Sequence, residues 1–341
     1  MKAIMVTGPD QVSVASVDDP AIQDPSDAIV RIRRAAICGT DLHVVSHGGE
    51  RFIPGHEFVG EVTETGGAVT AVSAGDLVAG ADYTACGRCW WCLRGDHWHC
   101  PERRFFGTGT AFGPMLAGAQ AELVRVPRAD VVLRHVPAGV SLDAAVFLGD
   151  TLATAYAAVQ RAGYRPGDTL AVIGGGPVGQ LTSLVAQACA AGAVILVEPV
   201  AARREFAAAN GSLTADPDSA RALADDLTEG RGADAVVDAV GGALGLDTAL
   251  YLVRRGGTVV SVGIHPEQAW SLPAERAFND ELTVRFAIGD FMRDAQPLFA
   301  LLRAGAVDPT VVASERVSLD EVPAAYRRMA QRSTLKALVV T

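Results

Sequence analysis

The stretch TLAVIGGGPVGQLTSLVAQA, residues 169–188, passes from an apolar strand through a glycine-rich turn into a helix. The turn fits the pattern G-x-G-x-x-G. In this pattern the first glycine permits a tight turn, the second allows a pyrophosphate to approach the backbone, and the third allows the helix to pack on the strand. The N-terminus of the helix then faces the phosphates. The predicted cofactor-binding residues of the turn are Gly174, Gly176, Pro177, Val178 and Gly179.

A second apolar strand, AVILVE, follows this helix and ends in Glu198. An acid about 20 residues beyond the glycine-rich turn typically accepts hydrogen bonds from the adenosine ribose, and it repels a 2′-phosphate. Glu198 therefore favours NAD over NADP. Arg203 and Arg204 are close enough in the sequence to bind a 2′-phosphate, so NADP is the second choice. The alternative is a structural strand–helix turn followed by a surface acid.

Strands and helices continue to alternate from Thr169 to about Gly289. Near-continuous apolar strands separated by helices predict a parallel sheet that is covered on both faces. Before about residue 140 the chain consists of short alternating runs separated by turns, which is typical of β-strands. The predicted fold is α/β, with a β-rich domain at 1–148, a doubly wound Rossmann domain at 149–288, and a C-terminal part at 289–341 that returns to the first domain.

The composition argues against several kinds of partner. The 341-residue chain has a formal net charge of −10 and no basic cluster, which argues against nucleic acid and anionic membranes. It contains no run of 18 apolar residues, so we expect no membrane span. The N-terminus lacks the long apolar core of a signal peptide, so we expect a cytoplasmic protein. In that compartment the six cysteines indicate metal ligands, a catalytic group and packing rather than disulfides.

Four of the cysteines lie in the segment CGRCWWCLRGDHWHC, with the spacing C-x2-C-x2-C-x7-C. Four thiolates in one short loop suit a tetrahedral, structural zinc site with no open position. An iron–sulfur cluster is the alternative, but the x7 gap does not match the ferredoxin run that ends C-x3-C-P. His97 and His99 lie in the same loop as competing ligands, although four cysteines suffice. The predicted ligands are Cys86, Cys89, Cys92 and Cys100.

A second set of candidate ligands lies in AAICGTDLHVVSHGGERFIPGHEFVGEV, residues 35–62. Cys38 and His56 in this segment have side chains that suit zinc. Together with the four-cysteine loop and the glycine-rich turn, in this order, the segment makes the chain resemble the zinc-dependent medium-chain alcohol dehydrogenase family over essentially its whole length. The motif GHE followed by GxV is specific to the zinc-containing members. Zinc-free quinone and enoyl reductases of the same superfamily lack both cysteine features and are the minor alternative.

The resemblance implies a GroES-like catalytic domain, a Rossmann cofactor domain and two zinc ions per chain, one catalytic and one structural. It matches Cys38 and His56 to ligands of the catalytic zinc. It matches Asp41 to the acid that orients the ligating histidine, and Glu57 to an acid that approaches the metal when its fourth position is vacant. The residues matched to the proton relay are Thr40 and His43.

One position departs from the common pattern of the family. Many members have a second cysteine as the third catalytic ligand, but the corresponding segment here reads FLGDTLATAY. Asp150 is the matching residue, and a carboxylate in place of a thiolate keeps the charge and supplies a harder donor. The alternative role of Asp150 is the N-cap of a helix that starts near Leu152. The remaining cysteine, Cys189, is expected to pack in the core.

The resemblance therefore implies an oxidoreductase that transfers a hydride between a small alcohol or ketone and NAD. A secondary alcohol is the expected substrate. Polyol, amino-alcohol and threonine-type substrates are alternatives within the family, and a nucleotide-binding relative without catalytic activity is an alternative outside it. Family members are usually dimers or tetramers, and we expect a homo-oligomer, a tetramer or a dimer, here.

Overall fold

The computed structural model describes residues 1–48 and 50–341. These residues form two compact units. Unit 1 contains Met1–Ala153 and Asp290–Thr341, and unit 2 contains Thr154–Gly289.

The secondary structure consists mainly of short strands in unit 1 and of alternating strands and helices in unit 2. The strands are β1 (Lys2–Gly8), β2 (Gln11–Ser16), β3 (Ala28–Ala36), β4 (Glu57–Thr65), β5 (Leu77–Gly80), β6 (Tyr83–Thr84), β7 (Arg104–Phe105), β8 (Leu123–Val126), β9 (Leu133–His135), β10 (Thr169–Ile173), β11 (Ala193–Val197), β12 (Leu213–Ala215), β13 (Ala233–Asp238), β14 (Val253–Ser261), β15 (Thr283–Phe286), β16 (Glu315–Ser318) and β17 (Ala337–Val340). The helices are α1 (Gly39–His47), α2 (Ala129–Val132), α3 (Leu142–Ala145), α4 (Thr151–Ala162), α5 (Pro177–Ala188), α6 (Ala201–Ala209), α7 (Ala220–Thr228), α8 (Gly242–Leu252), α9 (Ala274–Asn279), α10 (Phe291–Arg303) and α11 (Val322–Ala330). Short 3-10 helices span Cys92–Arg94, His97–His99, Val146–Leu148, Pro309–Val312 and Leu319–Glu321.

Unit 1 is built around a seven-stranded sheet with the order β16-β17-β3-β4-β5-β9, in which β8 also pairs with β3. Strand β3 buries Val30 and Ile32 and leaves the arginines next to them more exposed, as expected of a strand with one face against the core. The register pairs Ala36 with Glu57 on β4 and with Leu338 on β17. The end of β3 and the starts of β4 and β17 therefore lie side by side, close to the candidate metal ligands.

Unit 2 contains a six-stranded sheet with the order β12-β11-β10-β13-β14-β15, in which every neighbouring pair is parallel. This order is that of the doubly wound dinucleotide-binding fold, so the predicted α/β fold class is confirmed. Strand β10, TLAVI, is buried along its whole length, as expected of a central parallel strand. The strand order reverses between β10 and β13, where such folds bind ligands at the carboxyl ends of their strands.

Within the two described segments of the chain, no single helix has the length and hydropathy that a membrane crossing needs. One pair of neighbouring helical segments meets the length and hydropathy requirements only when its two members are taken together. These segments are Leu142–Leu148 and Thr151–Ala162, which are bent by 54° at their junction.

Candidate active site and cofactor site

Three candidate ligands come together in unit 1 from distant parts of the chain. Cys38 follows β3, His56 precedes β4, and Asp150 precedes α4. Their donor atoms lie within 4.8 Å of one another. Asp150 Oδ2 is 3.2 Å from Cys38 Sγ and 3.2 Å from His56 Nε2. Cys38 and His56 are buried, and Asp150 is half-buried.

The spacing and chemistry of this set fit a zinc ion. Zinc–nitrogen and zinc–oxygen bonds in a tetrahedron place two ligand atoms about 3.3 Å apart, close to the separation of His56 Nε2 and Asp150 Oδ2. Burial and the negative charge of Asp150 raise the pKa of the Cys38 thiol, so a thiolate at this position needs a cation beside it. One sulfur, one nitrogen and one oxygen donor leave a fourth coordination position for a small molecule.

The structure is compatible with both roles of Asp150. Helix α4 begins at Thr151, so Asp150 stands at the position of an N-cap. Its Oδ2 atom nevertheless contacts the two other candidate ligands. A carboxylate has two oxygens, so capping by one and coordination by the other do not exclude each other.

Asp41 connects two of the candidate ligands. It is 1% exposed, and its Oδ2 accepts hydrogen bonds from the Cys38 backbone N–H at 2.9 Å and from Gln120 Nε2 at 3.2 Å. Its Oδ1 lies 3.2 Å from His56 Nδ1. The Tyr326 hydroxyl donates to Gln120 Oε1 at 2.9 Å. A carboxylate beside Nδ1 leaves His56 Nε2 for a metal, as ligating histidines generally require.

A buried ion pair lies next to the ligand set. Lys336 Nζ is 2.8 Å from Glu57 Oε2 and 2.9 Å from Glu57 Oε1, and it donates to Thr151 Oγ1 at 2.9 Å. The Thr151 hydroxyl in turn donates to Glu57. Glu57 follows His56 directly and Thr151 follows Asp150 directly. The network therefore fastens two ligand-bearing segments to the residue that precedes β17.

The opposite charges of Lys336 and Glu57 stabilise each other. Burial disfavours a charged Lys336, but the Glu57 carboxylate outweighs burial and holds the pKa of Lys336 above its usual range. The predicted position of Glu57 beside the metal remains a prediction, since its carboxylate is bound by Lys336 and Thr151 in this structure. Lys336 was not predicted as a site residue from the sequence. A signal was present, because Lys2 and Lys336 are the only lysines in a chain rich in arginine.

Thr40 and His43 lie three residues apart on α1 and are both half-buried. Residues with this spacing share one face of a helix. The ring of His43 is 4.6 Å from that of His47. The placement on one face agrees with the predicted proton relay, whose role in catalysis stays a prediction.

The four cysteines of the second candidate metal centre also come together. Their sulfur atoms all lie within 4.8 Å of one another, with Cys86 Sγ 3.9 Å and Cys89 Sγ 3.5 Å from Cys92 Sγ. Zinc–sulfur bonds of about 2.3 Å in a tetrahedron place sulfur atoms about 3.8 Å apart. His97, a predicted competitor, has its Nδ1 atom 3.0 Å from Asp290 Oδ1. The geometry therefore favours the four thiols as one ligand set.

The electrostatics of this loop also call for a cation. Burial disfavours the Cys86 thiolate, but backbone N–H groups of Arg88 and Cys89 outweigh burial and lower the pKa of Cys86 to about 6. Burial and the neighbouring Cys89 thiol raise the pKa of Cys92 to about 12. One thiolate thus forms readily near neutral pH, and a divalent cation is needed before its neighbours ionise as well.

The glycine-rich turn of unit 2 has the shape that a pyrophosphate requires. A Cβ atom on Gly179 would lie 1.8 Å from the Gly174 carbonyl oxygen, so helix α5 packs too tightly for a side chain there. A Cβ atom on Gly176 would meet no atom within 4 Å, which leaves open space at the N-terminus of α5. Pro177 is the first residue of α5, where a proline suits a helix start. Free backbone N–H groups at such a helix end bind phosphate.

Comparison with known proteins identifies the family. Residues 24–137 match the family model of the alcohol dehydrogenase GroES-like domain, and residues 177–304 match that of the zinc-binding dehydrogenase. A probable zinc-binding alcohol dehydrogenase of Mycobacterium tuberculosis is 36% identical over 336 residues, which cover 98% of this chain and 86% of that protein. The chain belongs to the zinc-dependent medium-chain alcohol dehydrogenase family.

Solved structures of alcohol dehydrogenases and related proteins match the whole chain. The alcohol dehydrogenase TADH from Thermus sp. ATN1 has a TM-score of 0.96 and 36% identity, and the match covers 100% of this chain and 99% of that one. A putative zinc-binding dehydrogenase from Sinorhizobium meliloti 1021, solved with NADP bound, has a TM-score of 0.87 and 28% identity, with coverage of 100% and 99%. These matches confirm the GroES-like and Rossmann fold class.

The acid at the end of β11 is bound by backbone groups. Glu198 is 4% exposed, and its two oxygens accept hydrogen bonds from the N–H groups of Gly175 at 2.6 Å and Val200 at 2.9 Å. Arg203 Nη1 lies 3.9 Å from Glu198 Oε2, whereas Arg204 donates to main-chain carbonyls. Each carboxylate oxygen keeps a lone pair for a ribose hydroxyl. Arg203 is the nearer candidate partner for a 2′-phosphate.

A hydrogen-bonded network at the ends of β13 and β14 escaped the sequence analysis. Asp238 is fully buried and accepts a hydrogen bond from the Ser261 hydroxyl at 2.7 Å. Ser261 Oγ lies 2.8 Å from His265 Nε2, and His265 Nδ1 accepts from the Gly242 N–H at 3.1 Å. Because that N–H only donates, the proton of His265 lies on Nε2. The network joins two strand ends at the edge of the sheet where this fold binds its cofactor.

Proposed function

We propose that this chain is a zinc- and NAD-dependent alcohol dehydrogenase that interconverts a secondary alcohol and a ketone. The observation that carries the proposal is the convergence of one thiol, one imidazole and one carboxylate within 4.8 Å in a member of the zinc-dependent family. Packing does not require this combination, since a buried thiol and carboxylate repel each other when both are ionised.

Cys38, His56 and Asp150 would hold the catalytic zinc. Bound there, zinc supplies a Lewis acid that lowers the pKa of an alcohol hydroxyl, and the nicotinamide accepts the hydride. One thiolate, one carboxylate and a neutral imidazole balance the charge of Zn²⁺. Asp41 holds His56 with Nε2 directed at the metal position, so that the ligand set is ordered before the substrate binds.

The chain's own groups would then remove the proton. The Thr40 hydroxyl would accept the proton of the alcohol, and the ring of His43 would release a proton to solvent. A histidine suits this task because its ordinary pKa lies near neutral pH. The four cysteines Cys86, Cys89, Cys92 and Cys100 would hold a structural zinc, which replaces a hydrophobic core in their loop.

NAD is the proposed cofactor because the Glu198 carboxylate stands where the adenosine ribose is bound in this fold. The negative charge disfavours a 2′-phosphate, although Arg203 at 3.9 Å from that carboxylate would partly offset it. Initial rates with NAD⁺ and NADP⁺ over a panel of primary, secondary and polyhydric alcohols test cofactor and substrate together. If no alcohol or ketone reacts with either nucleotide, the non-catalytic alternative is favoured.

Metal analysis tests the two zinc sites separately. We expect about two zinc ions per chain in the wild type and about one in Cys92→Ala. If the wild type holds one zinc ion and Cys92→Ala holds none, the proposed catalytic site is wrong.

We also propose a cytoplasmic homo-oligomer, a tetramer or a dimer. β15 is an edge strand of its sheet, and Phe286 on this strand is 60% exposed. Phe278, in the helix that precedes it, is 83% exposed. An edge strand with exposed aromatic residues is a typical place for pairing between chains. Light scattering during gel filtration measures the oligomeric state.

A further inference from the structure

Asp82 is a buried acid in unit 1 for which the proposed mechanism has no use. It lies between β5 and β6 and is 5% exposed. Among the described residues, its Oδ1 atom has no hydrogen-bond partner. A buried polar atom without a partner is unfavourable and calls for a functional or structural explanation.

Other buried acids of unit 1 have carboxylate oxygens that are bound by protein donors. Each of them caps a turn, orients a ligand or pairs with a cationic side chain. They are Asp27, Asp41, Glu57, Asp290 and Asp294. Asp27, Asp41 and Glu57 also have one oxygen without a hydrogen-bond partner, but each of these acids is held by a side chain or backbone group of another residue. Among the described residues, no other residue donates a hydrogen bond to the carboxylate of Asp82, so the fold does not explain this carboxylate in the same way.

The backbone around Asp82 places it beside the candidate catalytic site. The Asp82 carbonyl accepts a hydrogen bond from the Phe106 N–H at 3.0 Å. The preceding residue, Phe105, packs edge-on against His56, with ring centroids 5.2 Å apart. Two residues before Asp82, the Gly80 carbonyl oxygen would lie 2.3 Å from a Cβ atom on Gly149. Asp82 is therefore flanked by the neighbours of two proposed zinc ligands.

The electrostatics agree with this placement. Burial raises the pKa of Asp82, and the negative charge of Asp150 raises it further, whereas His56 lowers it. Asp150 and His56 are proposed zinc ligands, so these influences agree with the placement of Asp82 by the backbone contacts above. A donor supplied by the substrate would satisfy its unpartnered oxygen.

We propose that Asp82 is a specificity-determining residue that accepts a hydrogen bond from a second donor on the substrate, a hydroxyl or an ammonium group close to the reacting carbon. The inference rests on the proposed alcohol dehydrogenase function and sharpens its substrate class. The preferred substrates are vicinal diols, polyols or amino alcohols rather than alcohols with a single polar group. Sites built to bind a substrate hydroxyl discriminate strongly against analogues that lack it, because the buried polar group is then left unpaired.

The test uses three compounds with one carbon skeleton: 2-butanol, 2,3-butanediol and 3-amino-2-butanol. For the zinc-loaded wild-type enzyme we expect kcat/KM to be at least tenfold higher for one of the two bifunctional compounds than for 2-butanol. In Asp82→Leu this ratio falls at least tenfold, mainly through the bifunctional compound. Asp82→Asn keeps an acceptor but removes the charge, so it retains preference for the diol and loses preference for the amino alcohol.

Melting temperature separates this role from simple damage to the fold. Asp82→Leu removes an unpartnered buried carboxylate, so we expect its melting temperature without substrate to equal or exceed that of the wild type. The preferred compound raises the melting temperature of the wild type more than 2-butanol does, and this difference disappears in Asp82→Leu. Asp27→Asn is the matched control, because Asp27 is a buried acid of the same unit that belongs to neither candidate metal centre. It leaves the substrate ratio unchanged.

Two failures are distinguishable. Equal kcat/KM for all three compounds in the wild type, or an unchanged ratio in both Asp82 variants, overturns the inference and leaves the alcohol dehydrogenase function intact. If the wild type oxidises none of the three compounds and no other secondary alcohol, the proposed function fails and the inference fails with it.

Discussion

Replacing Lys336 by methionine tests whether the ion pair beside the ligand set stabilises unit 1. Methionine keeps the length and most of the volume of the side chain but removes the charge. Among the described residues, the Thr151 hydroxyl is then the side-chain donor that remains to the fully buried Glu57. Removing one partner of a buried ion pair typically costs about 3–5 kcal/mol, because the other charge is left uncompensated. We expect Lys336→Met to lower the free energy of unfolding of unit 1 by this amount at pH 8.

The loss depends on pH in a defined direction. Burial already raises the pKa of Glu57, and Lys336 is the strongest influence that lowers it. Without Lys336 the pKa in the folded state rises further above the unfolded value of about 4.3. A group with a raised folded pKa contributes stability that is present below its unfolded pKa and is lost as pH rises through its folded pKa. The deficit of Lys336→Met relative to the wild type is therefore largest at pH 8 and smaller at pH 5.

Urea unfolding followed by tryptophan fluorescence measures this effect. Of the four tryptophans, Trp90, Trp91 and Trp98 lie in unit 1, so the signal reports mainly on that unit. The double variant Glu57→Gln with Lys336→Met is the matched control, since it removes both charges, and we expect it to be more stable than Lys336→Met alone. A deficit below about 1 kcal/mol at pH 8, or a double variant no more stable than the single one, would refute the reasoning.

Three further changes test the candidate sites. Asp150→Asn should lower catalytic-zinc occupancy or kcat/KM at least tenfold, about 1.4 kcal/mol, as measured by metal analysis and initial rates; full activity with only a lower melting temperature would favour the helix cap. Asp41→Asn should weaken zinc binding about 10- to 100-fold, measured by competition with a chelator, and an unchanged affinity would contradict the orienting role. The structural zinc should be released faster at pH 5 than at pH 7.5, because protons compete with zinc for the thiolate ligands; release that is independent of pH, followed with a chromogenic chelator, would contradict thiolate ligation.

The sequence predicts those parts of the candidate sites whose residues lie close together along the chain. The glycine-rich turn lies within six residues, and the four-cysteine loop within 15 residues. In both, local chemistry requires particular residue types at fixed spacing. Asp150 is different, because 94 residues separate it from His56. Only the resemblance to a family connected them, and spacing alone gives no reason to pair them.

The supporting residues could not be predicted because tertiary contacts alone bring them to the site. Lys336 is 279 residues from Glu57, and Tyr326 is 206 residues from Gln120. These contacts depend on the pairing of β17 with β3, which follows from the complete sheet rather than from any local pattern. Asp82 belongs to no sequence motif. Its proposed role follows only from the folded structure, in which its Oδ1 atom has no hydrogen-bond partner among the described residues.

The charges around the proposed catalytic zinc ligands show how Asp82 differs from the other buried acids of this site. Glu57 and Lys336 neutralise each other, and a zinc ion would neutralise Cys38 and Asp150. Asp41 keeps a negative charge, but a backbone N–H and the Gln120 amide satisfy one of its oxygens and His56 lies beside the other. Asp41 Oδ1 and Glu57 Oε2 also form no hydrogen bond, but they lie beside His56 and Lys336. Among the described residues of this site, Asp82 is the carboxylate whose unpartnered oxygen has no such ion pair. Because the described residues supply no donor to that oxygen, a donor carried by the substrate would bind it without displacing an existing hydrogen bond.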